Sequence, residues 1–222
     1  MVDDLKDLLE RSENSQTLAA VIGFPVNHSL SPTIHNAGFK HLNLQWNYIP
    51  LEVEEGDLEE VFEQMRSSNL KGLSVTMPYK AKAAMMVDEC TPTAKALGAV
   101  NCVTSTDKGL IGHNTDGDGF LKALKHDANF DPKQKRVVVL GAGGAAKAIT
   151  EALGRAEVSS LVVINRTQAK AESTAALATD VGTVGDLEGI SEADLVVNAT
   201  SLGMKDNAMQ FPCPVDLIHS DQ

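Results

Sequence analysis

A glycine turn between a strand and a helix narrows the possible folds of this chain more than any other segment. Residues 137–146 read VVVLGAGGAA, so four apolar residues run directly into the pattern GxGxxA. In such a turn Gly141 permits a tight bend, Gly143 lets the backbone approach a pyrophosphate, and the small Ala146 lets helix and strand pack closely. The helix N-terminus then faces the negative charge. The flanking strand and helix therefore predict a dinucleotide site at Gly141, Ala142, Gly143, Gly144 and Ala145.

The next predicted strand indicates which dinucleotide binds. An NAD site has Asp or Glu at the end of that strand, about 20 residues on, to bind the ribose 2′-hydroxyl. This sequence has Asn165, Arg166 and Thr167 there, with Lys170 one turn into the following helix. An acidic side chain would repel a 2′-phosphate, whereas a guanidinium can bind it through two hydrogen bonds. The residues predict NADP as the cofactor; the alternative interpretation of Arg166 is a solvated surface arginine.

Strand and helix patterns alternate along the chain from Thr17. In the first series, short β-rich runs predict strands at 18–24, 46–53, 72–77 and 99–104, and helical spacing predicts helices at 32–42 and 57–67. In the second series, strands are predicted at 136–140, 160–164 and 193–198, and helices at 145–154 and 168–178. Ser31, followed by Pro32, is expected to cap the first helix. Alternating units predict an α/β fold with a mostly parallel sheet. We expect two lobes after an extension at 1–16: an α/β substrate lobe at 17–116 and a Rossmann-like, doubly wound dinucleotide lobe at 117–222.

Composition and charge argue against several classes of protein. A net charge of −11 disfavours nucleic acid or an anionic membrane as partner. The sequence has no apolar run near the roughly 20 residues that cross a bilayer. Three widely spaced cysteines without a CxxC pair predict free thiols in a reducing cytoplasm. His28 and His35 flank the first helix without a third ligand at supportive spacing, so no metal site is predicted.

Small polar and charged side chains cluster at predicted strand ends in the first lobe. Each has a structural explanation, because a serine before proline or an aspartate before glycine can cap a helix and a lysine near proline can be solvated. Together they place hydroxyl, amide, ammonium and carboxylate groups where parallel α/β sheets bind ligands. The candidate substrate-binding residues are Ser29, Ser31, Thr76, Lys80, Asn101 and Asp116.

This set of groups suits a cyclic polyhydroxy acid as a small-molecule substrate. Serine hydroxyls can hold a carboxylate, while threonine, asparagine and aspartate can bond ring hydroxyls. Reduction of a ketone by hydride also requires a proton for the developing alkoxide, and Lys80 can supply it with Asp116 orienting the ammonium. Both members of the Lys80–Asp116 pair remain candidates for the proton transfer.

In this order, the motifs resemble those of the shikimate dehydrogenase family. The matching segments are GFPVNHSLSP at 23–32, VTMPYK at 75–80, GAVN at 98–101, NTDG at 114–117, GAGGA at 141–145, NRT at 165–167 and NATSLGM at 198–204. The resemblance implies reversible reduction of 3-dehydroshikimate to shikimate with NADPH, in aromatic amino-acid (chorismate) biosynthesis. It implies that Lys80, paired with Asp116, is the catalytic group and that NADP lies on residues 141–145 and 165–170. A monomer and a homodimer both remain possible for the enzyme.

Two features depart from the family pattern. Ser74 stands where many relatives have asparagine, which resembles plant-type and some quinate-accepting members. The family pattern also continues past Gln222 with a strand, a tyrosine, a glutamine and a helix, so we expect an incomplete chain with weak or no activity. Two alternatives stay open: a quinate/shikimate dehydrogenase with relaxed cofactor use, and a ligand-sensing relative without catalysis, which need not keep the acid–base pair.

Overall fold

The computed structural model describes residues 16–203 and 211–220, and the chain divides into two compact units between Asn114 and Thr115. Each unit is built on a β-sheet of its own. The α/β class is confirmed by the alternation of strands and helices. The expected N-terminal extension, apart from Gln16, and Met204 of the last motif lie outside the described residues.

A six-stranded mixed sheet forms the centre of the first unit. Its strands are β1 (Thr17–Gly23), β2 (Trp46–Glu52), β3 (Leu70–Val75), β4 (Glu89–Cys90), β5 (Cys102–Thr106) and β6 (Gly109–His113). Their order in the sheet is β2-β1-β3-β5-β6-β4. β1 pairs in parallel with β2 and β3, whereas β5 is antiparallel to both β3 and β6. The carboxyl ends of β1, β3 and β6 therefore share one edge of the sheet with the amino end of β5.

Two helices cover the two faces of this sheet unequally. α1 (Ser31–His41) contains no fully buried residue, whereas α2 (Leu58–Ser67) buries Leu58, Val61, Phe62 and Met65. The spacing of these four residues puts them on one side of α2, which packs into the main core of the unit. Two shorter helices follow, α3 (Lys80–Met86) and α4 (Pro92–Leu97).

Two expectations for the first unit are wrong in detail. α1 already includes Ser31, so Leu30 occupies the N-cap position, and the Ser29 hydroxyl instead accepts a hydrogen bond from the Ser31 amide at 3.2 Å. The single strand expected at 99–104 is part of a hairpin, because β5 turns through Asp107 and Lys108 into β6. That hairpin gives the sheet its antiparallel part.

The second unit has a four-stranded sheet in which all pairs are parallel. Its strands are β7 (Arg136–Leu140), β8 (Ser160–Ile164), β9 (Gly182–Val184) and β10 (Leu195–Asn198), in the order β10-β7-β8-β9. The limits predicted for β7 and β8 are confirmed. Because β8 and β10 flank β7 on opposite sides, the chain reverses its direction of winding at β7, as in a doubly wound fold.

Three helices pack around this sheet. They are α5 (Asp116–Asp127), α6 (Gly144–Arg155) and α7 (Gln168–Ala175). Val137, Val139 and Leu153 belong to the core between sheet and helices. Within the described residues, no helix combines the length and apolar character needed to cross a membrane.

Candidate functional site

One edge of the first sheet carries the loops that hold most of the predicted substrate groups. Backbone hydrogen bonds continue past the strand ends: Thr76 N donates to Ile22 O at 2.9 Å, Val75 N to Asn101 O at 2.8 Å, and Asn101 N to His113 O at 2.9 Å. The ends of β1, β3, β5 and β6 are thereby fixed side by side. The structure places Thr76 directly after β3 and Asn101 directly before β5, so both residues lie at neighbouring strand ends.

The loop after β1 is held by a residue that the sequence analysis missed. The Glu52 carboxylate accepts hydrogen bonds from Val26 N at 3.0 Å and from Asn27 Nδ2 at 2.9 Å. Ser29 N donates to Val26 O at 2.9 Å, which closes the turn in front of α1. Ser29 and Ser31 are both partly buried there. The only sequence signal for Glu52 is an acidic residue at the end of a strand, which is common on protein surfaces.

The backbone around Lys80 is fixed on two sides. Lys80 is the first residue of α3, and its carbonyl accepts a hydrogen bond from Val100 N at 2.8 Å. The preceding Tyr79 is buried, and its hydroxyl donates to Val53 O at 2.6 Å. Burial raises the pKa of Tyr79, so this hydroxyl remains a donor at neutral pH. The Lys80 side chain is partly buried.

Asn114 and Asp116 lie in different units. Asn114 is buried, and its Nδ2 donates to Ala99 O at 3.1 Å, so this side chain shapes the loop that carries Asn101. Asp116 is the first residue of α5, and Thr115 occupies the N-cap position. The suggestion that Asp116 caps this helix is therefore wrong.

The glycine turn has the geometry that its sequence predicts. Gly141 has φ +111°, and a Cβ there would lie 2.9 Å from Ala199 O. Gly143 is the N-cap of α6, and apart from adjacent residues and the helix's own backbone no atom of the described chain lies within 4 Å of the Cβ positions of Gly143 and Gly144. Ala146 is fully buried, as expected for close packing of helix and strand. The turn therefore leaves open backbone in front of a helix N-terminus.

The end of β8 brings the second group of cofactor candidates to the same edge. Gly141 N donates to Ile164 O at 2.8 Å, which joins the glycine turn to the last residue of β8. Asn165 Nδ2 donates to Thr167 O at 3.0 Å and shapes the following loop. Arg166 and Lys170 are exposed, Arg166 in the loop after β8 and Lys170 in the first turn of α7.

α5 packs very closely on α6. A Cβ at Gly117 would lie 2.5 Å from Ala148 O and 2.7 Å from the Ala152 Cβ. Arg155, at the end of α6, donates to Asp118 Oδ1 at 2.7 Å and to Glu151 Oε1 at 2.8 Å. The helix that begins with Asp116 is thus tied to the helix that begins at the glycine turn. Gly117 carried a usable signal, since glycine inside a helix often marks a close contact.

Comparison with known proteins identifies both units. The family profile described as the shikimate dehydrogenase substrate binding domain matches residues 21–103, and the profile described as shikimate / quinate 5-dehydrogenase matches residues 123–204. The shikimate dehydrogenase (NADP(+)) of Desulforamulus reducens is 38% identical over 212 residues, which covers 91% of this chain and 73% of that protein.

Two crystal structures of relatives resemble the whole fold. Shikimate 5-dehydrogenase of Thermus thermophilus, in complex with NADP(H) and shikimate, is 35% identical with a TM-score of 0.83 over 91% of this chain and 75% of that one. The enzyme of Listeria monocytogenes, in complex with shikimate and NAD, is 33% identical with a TM-score of 0.84 over 93% and 76%. The resemblance noted in the motifs is confirmed, and the chain belongs to the shikimate dehydrogenase family.

Proposed function

We propose that this chain catalyses the reversible NADP-dependent oxidoreduction of shikimate and 3-dehydroshikimate. The observation that carries the proposal is family membership across both units, together with NADP-dependent shikimate dehydrogenases among the relatives. The reaction belongs to aromatic amino-acid biosynthesis. We further propose a cytoplasmic enzyme that acts as a monomer or homodimer on a small-molecule substrate.

The residues of the second unit fit NADP. The open backbone at Gly143 and Gly144 and the N-terminus of α6 suit the pyrophosphate, and Ala142 and Ala145 complete that turn. Arg166 and Lys170 would hold the 2′-phosphate, with Asn165 and Thr167 forming the loop between them. When bound, NADP supplies the nicotinamide that accepts a hydride from the substrate carbon.

The residues of the first unit suit shikimate, which carries a carboxylate and ring hydroxyls. The hydroxyls of Ser29 and Ser31 would bind the carboxylate, and Thr76 and Asn101 would bond ring hydroxyls from neighbouring strand ends. Asp116 is proposed as a further partner of the ring hydroxyls.

Lys80, together with Asp116, is proposed to carry out the proton transfer. As the substrate carbon gives up its hydride, the hydroxyl on that carbon loses its proton to the Lys80 amine or the Asp116 carboxylate. In the reverse direction, the Lys80 ammonium stabilises the developing alkoxide, and the same group returns the proton to that oxygen. A double-mutant cycle of Lys80→Ala and Asp116→Asn tests the pairing, because coupled groups give losses that do not add.

The absorbance of NADPH provides the test. Initial rates with shikimate and quinate, each with NADP and NAD, should be highest for shikimate with NADP. Comparable rates for both acids and both cofactors would instead establish a quinate/shikimate dehydrogenase with relaxed cofactor use. Shikimate binding without any turnover would favour the ligand-sensing alternative, and absence of both would refute the proposal.

A further inference from the structure

The Asn36 side chain forms a clamp that joins α1 to β2, the outermost strand of the first sheet. Asn36, in the middle of α1, accepts a hydrogen bond from Tyr48 N through Oδ1 and donates to Tyr48 O through Nδ2, both at 2.8 Å. β2 is the outermost strand of the sheet in the described part of the chain, and the Asn36 amide binds the Tyr48 backbone groups that a further strand would otherwise pair. The His35 ring stacks on the Tyr48 ring with centroids 4.3 Å apart and planes 9° apart.

The hydroxyl of the same tyrosine reaches across the sheet to β3. Tyr48 is buried, and its hydroxyl donates to Ser74 Oγ at 2.7 Å. Burial raises the pKa of Tyr48, so the hydroxyl keeps its proton at neutral pH. Ser74 is partly buried and precedes Thr76 by two residues, so both side chains project from the same side of the chain.

The connection matters because α1 has little apolar anchorage. Phe39 packs against Trp46 with ring centroids 5.5 Å apart, but no residue of α1 is fully buried, so polar contacts contribute more to its position than to that of α2. The loop and first turn of α1 carry Ser29 and Ser31, and β3 leads into Thr76. Asn36, Tyr48 and Ser74 therefore link the elements that present the proposed carboxylate-binding and ring-binding groups.

We infer that Tyr48 is a positioning residue for substrate binding, acting through Asn36 on Ser29 and Ser31 and through Ser74 on Thr76. The inference rests on the proposed function. Because the network sets ground-state contacts and touches no reacting atom, its loss raises KM for shikimate and spares kcat.

The test is Tyr48→Phe, which removes one hydroxyl. Loss of one hydrogen bond predicts a KM for shikimate about 5–10-fold higher, kcat within about 2-fold and KM for NADP unchanged. Thr106→Val is the control, since it removes another hydroxyl from the same unit, bonded to Gly109 O in the β5–β6 turn at the opposite end of the sheet. That control should lower thermal stability without changing KM for shikimate. An unchanged KM in Tyr48→Phe, or an equal rise in both variants, overturns the inference.

Ser74→Ala and the double variant test the path. If Tyr48 acts through Ser74, Tyr48→Phe has no further effect on KM in the Ser74→Ala background, whereas additive effects would contradict the path.

Hydrogen exchange of α1 tests the clamp without turnover. Exchange at 31–41 should accelerate in Asn36→Ala, which removes both hydrogen bonds of the clamp, and stay unchanged in Thr106→Val; unaltered exchange in both overturns the positioning role. If exchange accelerates but the unmodified chain neither binds nor oxidises shikimate, the proposed function fails and the substrate part of the inference fails with it.

Discussion

Replacement of Lys80 should lower activity strongly while leaving the fold around it intact. Its backbone is held through the carbonyl bond from Val100, which a side-chain substitution leaves intact. Lys80→Ala should lower kcat by about 10²–10⁴-fold, as expected for loss of an acid–base group, while NADP affinity stays nearly unchanged. Steady-state rates and a fluorescence titration of NADPH would measure the two quantities.

Lys82 offers a control on the same helix. It pairs with Glu55 on the surface, so Lys82→Ala should retain nearly full activity. Full activity in Lys80→Ala, or an equal loss in both variants, would remove Lys80 from the proposed mechanism.

Arg166 should decide the choice of cofactor. Arg166→Ala removes the exposed cation proposed to bind the 2′-phosphate, so NADP affinity should fall by about 10–100-fold and NAD affinity should change little. Calorimetric titration of both cofactors measures this. Arg136 is a suitable control because it lies at the amino end of β7, away from the glycine turn. Equal weakening of NAD and NADP binding would show that Arg166 does not recognise the phosphate.

Asp88 should make stability depend on pH. The Arg66 guanidinium, followed by the Leu110 amide at 2.7 Å, lowers the pKa of Asp88 in the folded chain. A lowered folded pKa adds stability above the unfolded value of about 4, and that stability is lost as pH falls through the folded pKa.

The corresponding variant is Asp88→Asn. The Asp88 side chain is 44% exposed, so the substitution should lower the free energy of unfolding at neutral pH by no more than about 1 kcal/mol. In urea unfolding, the difference from the unmodified chain should shrink below about pH 4. A difference that is constant with pH would contradict this assignment, and Asp107→Asn in the β5–β6 turn serves as an exposed control.

At the scale of elements, the close packing of α5 on α6 depends on one glycine. Gly117→Ala would place a methyl group against the Ala148 carbonyl and should cost about 1–3 kcal/mol through overpacking. At Gly119, two residues on in α5, an added Cβ would have no atom of the described chain within 4 Å apart from adjacent residues and the backbone of α5 itself. Gly119→Ala should therefore stabilise slightly, by up to about 1 kcal/mol, through helix propensity. Thermal unfolding compares them; equal effects would refute the packing argument.

For some strands, local sequence patterns were sufficient to predict the limits. The limits of β7 and β8 follow from compact apolar runs bounded by polar residues, and those strands are buried in a parallel sheet. The β5–β6 hairpin was missed because its strands mix threonine, serine and glycine with few apolar residues. Their place in the sheet comes from pairing with β3, which is a long-range contact that local patterns do not encode.

For the candidate site, the sequence offered side chains of suitable chemistry but did not indicate the contacts that hold them in place. Gly141 was predictable because its positive φ is a backbone requirement that leaves a glycine in the sequence. Tyr48 and Asn36 were not predictable as partners, since a tyrosine in an apolar strand is typical of core and an asparagine in a helix is typical of surface. Their link exists only because α1 folds against the edge of the sheet.

For the molecule as a whole, the family and the α/β fold are established, while the roles of individual residues and the limits of the lobes remain predictions. We propose a separate task for each unit. The first has hydroxyl and amide groups at one end of its sheet, and the second has an open glycine turn and the exposed cations Arg166 and Lys170. The central claim is therefore that a hydride passes from a polyhydroxy acid to NADP.

Transfer of a deuterium label from shikimate to NADP tests that claim most directly. Shikimate deuterated at the carbon that bears the reacting hydroxyl is incubated with the chain and NADP, and the nucleotide is analysed by mass spectrometry. We predict NADPH that carries one deuterium on its nicotinamide ring, with 3-dehydroshikimate as the co-product. Formation of unlabelled NADPH, or of no NADPH at all, would contradict the account.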